Sequence, residues 1–132
     1  MSTDLRDQVR RLRRAPRVAL LEAATQRVLV PRLTLASTFW RRFRGWQFRS
    51  PVHPDEGLLL APCRSIHTQW MRFSIDVVSL DEQGQILRIT TDVRPWRWLN
   101  GPLNAFATLE LPALRAAGRL EVGLQISLQA AS

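Results

Sequence analysis

Cys63, His67 and Met71 stand four residues apart within PCRSIHTQWMRFSIDVVSL, residues 62–80, where the chain's reactive side chains are densest. In an extended strand this spacing places all three on one face, and in a helix i, i+4 neighbours also meet. Asp76 lies on the apolar run just beyond, and Glu110 ends another. A thiol, an imidazole and an acid are the parts of a base-activated thiolate nucleophile, or of a metal site. Cys63, His67, Asp76 and Glu110 are therefore the catalytic candidates. The same residues have plainer uses: a cysteine after a buried strand is a small core residue, and His67 between Ser65 and Thr68 suits a structural hydrogen bond. A zinc site would need Cys63, His67, His53 and a carboxylate, without paired-ligand spacing, so no metal and no cofactor are expected.

A second pattern interleaves aromatics with cations: Trp40-Arg41-Arg42, Arg44-Gly45-Trp46, Trp70-Met71-Arg72 and Arg94-Pro95-Trp96-Arg97-Trp98. Arginine over a tryptophan face gains roughly 0.5–2 kcal/mol, and such pairs also stack nucleotide bases. Pro95 and the turn Asn100-Gly101-Pro102 place the last of these runs on the surface. With the basic N-terminus this gives Arg10, Arg13, Arg94, Trp96, Arg97 and Trp98 as surface-binding candidates. Against this, tryptophans in a small domain serve as core anchors with arginine stems lying over them.

These side chains must be positioned by a chain of 132 residues with 45% hydrophobic and 23% charged residues, ordinary values for one globular domain. Residues 1–17 hold six arginines against Asp4 and Asp7, and so carry half of the formal net charge of +8. Every cation is an arginine. The single cysteine precludes an intrachain disulfide. No run reaches the roughly 20 apolar residues of a membrane-spanning helix, and no apolar stretch follows the basic N-terminus as a secretory signal requires. A cytoplasmic location is expected, with membrane association through the basic lead as the alternative.

Residues 3–14 read as a helix capped by Thr3, with Leu5, Val9 and Leu12 on one stripe, arginines at its C-terminal end and Pro16 beyond. So short a helix is either docked or frayed. Arg27–Val30 and Leu33–Leu35 look like strand pieces, with Pro31 demoting the run to an edge or a break. Ser37 or Thr38 would cap a short helix closing at Gly45. Gly57–Ala61 reads as a buried strand. Ile75–Leu80 and Gln85–Thr90 form a hairpin through Asp81-Glu82-Gln83-Gly84. Strands are expected within 104–111 and 122–128, with a short helix from Pro112 closed by Gly118. The expected fold is mostly β (α+β): a compact, barrel-like single domain of short antiparallel strands over residues 18–132, with two or three short helices, behind a basic N-terminal lead over residues 1–17.

The run Cys63-Arg64-Ser65-Ile66-His67-Thr68, then Met71-Arg72-Phe73 and Ile75 to Asp81 with Gly84, resembles the core motif of the bacterial family called domain of unknown function 192 (uncharacterised protein family 0127). Arg44-Gly45, Pro95-Trp96-Arg97 and Leu109-Glu110-Leu111 match as well, so the resemblance spans about residues 28–128. It implies a compact, mostly β domain with small helices and supplies no catalytic set. The family-motif residues here are Arg44, Gly45, Cys63, His67, Thr68, Met71, Phe73, Asp76 and Glu110. Ser79 stands where the family usually has an aromatic, and Gly123-Leu124-Gln125 replaces its Gly-Asp ending. Family members often carry an export signal or a membrane-proximal N-terminus.

Together these readings favour a non-enzymatic binding or accessory domain for a small-molecule or protein partner. Its pocket would be shallow, around the Cys63–Asp76 segment, with Arg44, Cys63, Ser65, His67, Thr68, Met71, Asp76 and Glu110 as lining. A hydrolase-like enzyme using Cys63 with His67 is the alternative. Binding of nucleic acid or an anionic surface through residues 6–17 and Arg94–Trp98 is a third.

Overall fold

The structure, a computed structural model, describes residues 4–36, 53–68 and 71–131. Their order is α1 (Leu5–Leu12), β1 (Val18–Glu22), β2 (Val28–Ala36), β3 (Glu56–Leu60), β4 (Ser65–His67), β5 (Ile75–Leu80), β6 (Ile86–Val93), β7 (Trp98–Asn100), β8 (Ala107–Pro112) and β9 (Ile126–Ala130). Seven strands form one sheet in the order β6-β5-β8-β3-β2-β1-β9, and β4 pairs with β7 in a separate two-stranded sheet. None of the described helices is long and apolar enough to cross a membrane.

The mostly β expectation holds, with three corrections. First, the sheet is mixed: β2 and β3 run parallel from Arg32↔Glu56 to Ala36↔Leu60, as a strand returning by a long crossover can. Second, the expected barrel does not close. The edge strands β6 and β9 do not pair along their length and meet only at their starts, around the bridge Gln85↔Gln125, where Ile126 N donates to Gly84 O and Ile86 N to Leu124 O, each at 2.9 Å. Gly84 sits there at φ 82°, and a Cβ on it would lie 2.6 Å from Ile126 O. Third, α1 is the one helix among the described residues. The expected helix after Pro112 is a series of turns, because Leu114 takes a left-handed φ of 67° that interrupts any helix there. The expected helix over 37–45 lies outside the described residues.

Pro31 neither breaks nor edges its strand. β2 runs through it between two neighbours. The register to β1 slips between Val18↔Leu33 and Leu20↔Val30, which leaves one extra β2 residue. Pro31 falls in this bulge, just before parallel pairing to β3 begins, so its missing N–H costs no ladder bond.

The main sheet has apolar side chains on both faces. One face carries Leu20, Leu33, Leu59, Val78, Leu109 and Leu111, and α1 adds Leu5 and Val9 to that cluster. Burial of such side chains stabilises by roughly 1.5–3 kcal/mol each. The helix is docked, capped by Asp4 one residue later than Thr3 was expected to do so. Gln8 Oε1 accepts from Leu128 N of the edge strand β9 at 2.8 Å, and Arg6 pairs with Glu82 at 3.0 Å. The other face carries Leu58, Leu60, Ile75, Val77 and Val93, covered by Ile66, Met71 and the partly buried Cys63, Phe73 and Leu99. The β4–β7 pair is thus a flap laid over the second face.

Candidate functional site

Strand register decides whether the two acids can meet. β5 and β8 pair with Asp76↔Leu111 and Val77↔Glu110. Direct partners share a face and alternate residues change face. Asp76 therefore lies with Leu111 on the α1 side, and Glu110 with Val77 on the flap side. The two carboxylates project from opposite faces.

Asp76 is 0% exposed and fully engaged. Its Oδ1 accepts from Asp92 N and Leu114 N, and its Oδ2 from Ala116 N, each at 2.9 Å. Asp92 and Leu114 both have positive φ, 53° and 67°. One carboxylate thus ties the end of β6 to the turns after β8, holding two left-handed residues in place. It replaces the helix expected after Pro112 as the means of satisfying those N–H groups.

Glu110 is 3% exposed, between Leu58 of β3 and Val77 of β5 as direct cross-strand partners. Its Oε2 has no hydrogen-bond partner among the described residues. Burial without compensation penalises the carboxylate, and its pKa is pushed up from the ordinary 4.5 to about 8. The neutral acid is the form this site holds at neutral pH.

The flap sorts the remaining candidates. Ile66↔Leu99 is the inward pair of β4 and β7, and both side chains pack on the second face. Ser65↔Asn100 and His67↔Trp98 are the alternate pairs, and so face outward. His67 and Trp98 stack with centroids 5.9 Å apart and planes at 14°. Trp98 is 64% exposed yet oriented: its Nε1 donates to Asn100 Oδ1 at 2.8 Å, and Ser65 Oγ donates to the same oxygen at 3.0 Å. Arg88 of β6 donates to the Asn100 carbonyl. Gly101 closes the pair by donating to Arg64 O at 2.9 Å. A Cβ on Gly101 would lie 2.3 Å from that oxygen, so only glycine permits this approach.

Thr68, buried, fixes the loop that leads into β7. Its Oγ1 donates to Arg94 O and accepts from Arg97 N, both at 2.7 Å, while its backbone carbonyl accepts from Trp96 N at 3.0 Å. Trp96 is thereby held at φ 66°, an outlier for a bulky residue, with 56% of its surface exposed. Thr68 and Met71 are both buried beneath the surface.

The four-residue spacing does not align Cys63, His67 and Met71. β4 is only three residues long, so its alternation governs neither end of the run. Cys63 and Met71 pack on the second cluster while His67 faces outward. Cys63 Sγ donates to Ser65 O at 3.2 Å, a bond made by the protonated thiol. Cys63 instead lines an open hollow of about 720 Å³ with Arg6, Arg64, Glu82, Leu103 and Phe106, which includes none of His67, Asp76 or Glu110. Arg6 crosses it over the Phe106 ring, 4.6 Å from the centroid. The expected common pocket is therefore not formed by these four side chains. Among the described residues no group of three His, Cys, Asp or Glu is placed to hold a metal ion. Arg44 lies outside the described residues.

Of the surface-binding candidates, Trp96, Trp98, Arg94 and Arg97 come together at the flap, whereas Arg10 and Arg13 belong to the helix on the opposite face. Sequence reasoning missed Asn100 and Arg88. Asn100 had a turn former's signature, Asn-Gly-Pro, and its role in orienting Trp98 required the pairing of β4 with β7.

Residues 20–128, which run from within β1 to within β9, match DUF192, described as an uncharacterised ACR family. The chain belongs to DUF192. A UPF0127 protein of Pyrococcus abyssi is 33% identical over 96 residues, which cover 70% of this chain and 81% of that protein. The fold is shared with a protein of unknown function from Novosphingobium aromaticivorans (TM-score 0.71, 19% identity, 83% of this chain and 82% of that one). It is also shared with a protein described as a putative transcription regulator from Sinorhizobium meliloti (TM-score 0.67, 22% identity, 85% and 90%).

The DUF192 motif residues divide by role in this chain. Asp76 and Thr68 anchor backbone, Met71 and Phe73 pack, Glu110 is buried, and His67 faces solvent beside Trp98. Ser79 is buried opposite Thr108 on the flap face. Gly123, in the altered ending, turns at φ 94° and donates to Ile86 O at 2.8 Å.

Proposed function

We propose that this DUF192 chain is a non-enzymatic binding domain whose recognition surface is the outer face of the β4–β7 flap, presenting Trp98, His67 and Trp96 to groups with a flat π face. The observation that carries this reading is Trp98, a large apolar side chain left in solvent and held in one orientation by Asn100, Ser65 and His67. A mobile exposed tryptophan must be ordered on binding, at about 0.5–1.5 kcal/mol per side chain, and here that ordering is already done. The left-handed backbone at Trp96 supports the same reading, since such outliers gather at ligand clamps.

The enzyme alternative finds no support in the placement of its parts. The thiol donates to a carbonyl, the imidazole faces away from it, and Asp76 is consumed by three backbone N–H groups.

Titration with adenosine, an uncharged ring compound, monitored by tryptophan fluorescence, tests the reading. Saturable quenching in the wild type and in Cys63→Ser, lost in Trp98→Ala, is the expected result. A response unchanged by Trp98→Ala, or no response at millimolar adenosine, would overturn it.

A further inference from the structure

Resting on that reading, we infer that the ligand of the flap is single-stranded nucleic acid. The first argument is charge. The sequence segments 62–75 and 88–104, within which the flap strands lie, carry Arg64, Arg72, Arg88, Arg94 and Arg97 against Asp92 alone. Their net charge of +4 equals that of all residues beyond 17, so outside the N-terminal lead the remaining charges cancel. All five arginines are exposed, and none is paired with a carboxylate among the described residues. By contrast, Arg6, Arg10, Arg27, Arg32 and Arg115 each have an acidic neighbour. Beyond the N-terminal lead, Arg119 is the one other described arginine without a carboxylate partner, so the open cations outside that lead gather here.

The second argument is the company those cations keep. Arg94 and Arg97 flank Trp96, Arg97 precedes Trp98, and Arg88 is anchored on Asn100, which also orients the Trp98 ring. Trp96 and Trp98 are two residues apart, on an exposed edge beside the stacked His67. A polyanion whose rings repeat with its charges matches this layout: bases lie on aromatic faces while phosphates meet guanidinium groups. Base faces are accessible in a single strand and covered in a duplex, which selects the former. A short β surface that offers aromatic rings to unstacked bases is a recurrent way of doing this. An anionic membrane would meet the charges but would leave the fixed orientation of Trp98 without purpose.

The test is fluorescence anisotropy with labelled (dT)12 and (rU)12, with a 12-base-pair duplex and phosphatidylglycerol vesicles alongside. Each phosphate contact in a single strand adds about −0.7 to the slope of log K against log salt, so Arg94→Ala/Arg97→Ala should make the slope shallower by about 1.4. Trp98→Ala should weaken binding about 5- to 150-fold, the equivalent of one lost base stack at 1–3 kcal/mol, and Trp98→Phe should restore most of it. Arg10→Ala/Arg13→Ala, on the opposite face, should change affinity by less than about twofold.

Equal affinity for duplex and single strand with no effect of Trp98→Ala would overturn the inference, as would vesicle binding without strand binding. If (dT)12 and (rU)12 fail to bind at low salt while adenosine still quenches Trp98, only the nucleic-acid assignment falls. If adenosine fails as well, the recognition face falls with it.

Discussion

Replacing Glu110 with glutamine should remove most of the pH dependence of this protein's stability between pH 5 and 8. The folded protein keeps the Glu110 proton until its pKa of about 8, while the unfolded chain releases it near 4.5. Between these values the folded state binds more protons, so stability is full below pH 4.5 and falls as pH rises. The slope is about 1.4 kcal/mol per pH unit, which accumulates to about 4–5 kcal/mol by pH 8, some 3–4 kcal/mol of it above pH 5, and then levels off. The side chain is buried, so solvent screens it little, and its Oε2 has no partner among the described residues. A glutamine at this position carries no charge at any pH. Glu110→Gln should match the wild type within about 1 kcal/mol at pH 5 and exceed it by about 3 kcal/mol near pH 7.5, with other titrations cancelling in the difference. Urea denaturation at four pH values measures this. With a slope in urea of about 2 kcal/mol/M for a domain of this size, the midpoints should separate by about 1.5 M. Parallel pH profiles for the two proteins would refute the placement of Glu110 as an uncompensated buried acid.

Other predictions follow from single contacts. Asp76→Ala strands three backbone N–H groups and should cost on the order of 4–5 kcal/mol. Asp76→Asn, which keeps one acceptor oxygen, should cost about half of that by the same denaturation assay. Thr68→Val preserves volume but removes the bridge between Arg94 and Arg97, at a cost of about 1–3 kcal/mol. It should also speed hydrogen exchange of the Trp96 and Arg97 amides. Gly101→Ala forces a Cβ against Arg64 O, so the β4–β7 pair should open and the Trp98 indole N–H should lose its protection from exchange. Cys63 should react with iodoacetamide more slowly than a free cysteine peptide, because its thiol donates to Ser65 O and packs on the second cluster.

What the sequence made legible was local. The β5–β6 hairpin follows from Asp81, whose Oδ1 accepts from Gln83 N and Gln85 N, and from Gly84 in the left-handed region. The stripe of Leu5, Val9 and Leu12 identified α1, and one residue separated its expected cap from the real one. What stayed hidden depends on register between distant strands. Asp76 reads as a candidate catalytic acid until the N–H groups of residues 92, 114 and 116 are brought to it. The opposition of Asp76 and Glu110 follows from pairing Val77 with Glu110, which no local pattern encodes. Pro31 misled because its missing donor is harmless only within a bulge whose partner strand lies elsewhere in the chain. The Arg94–Trp98 run was legible as an exposed aromatic–cation segment, but the preorganisation of Trp98 required Asn100 and Ser65 to meet across β4 and β7.

The location of the binding surface is most directly measured by a 1H–15N NMR titration of the labelled protein with (dT)12, following backbone amides and tryptophan indoles together. Shifts concentrated at residues 65–68 and 94–100, led by the Trp98 and Trp96 indoles, are predicted. Shifts concentrated instead around Arg6, Cys63, Glu82 and Phe106, with both indoles unmoved, would place recognition in the hollow beside α1 and contradict the account.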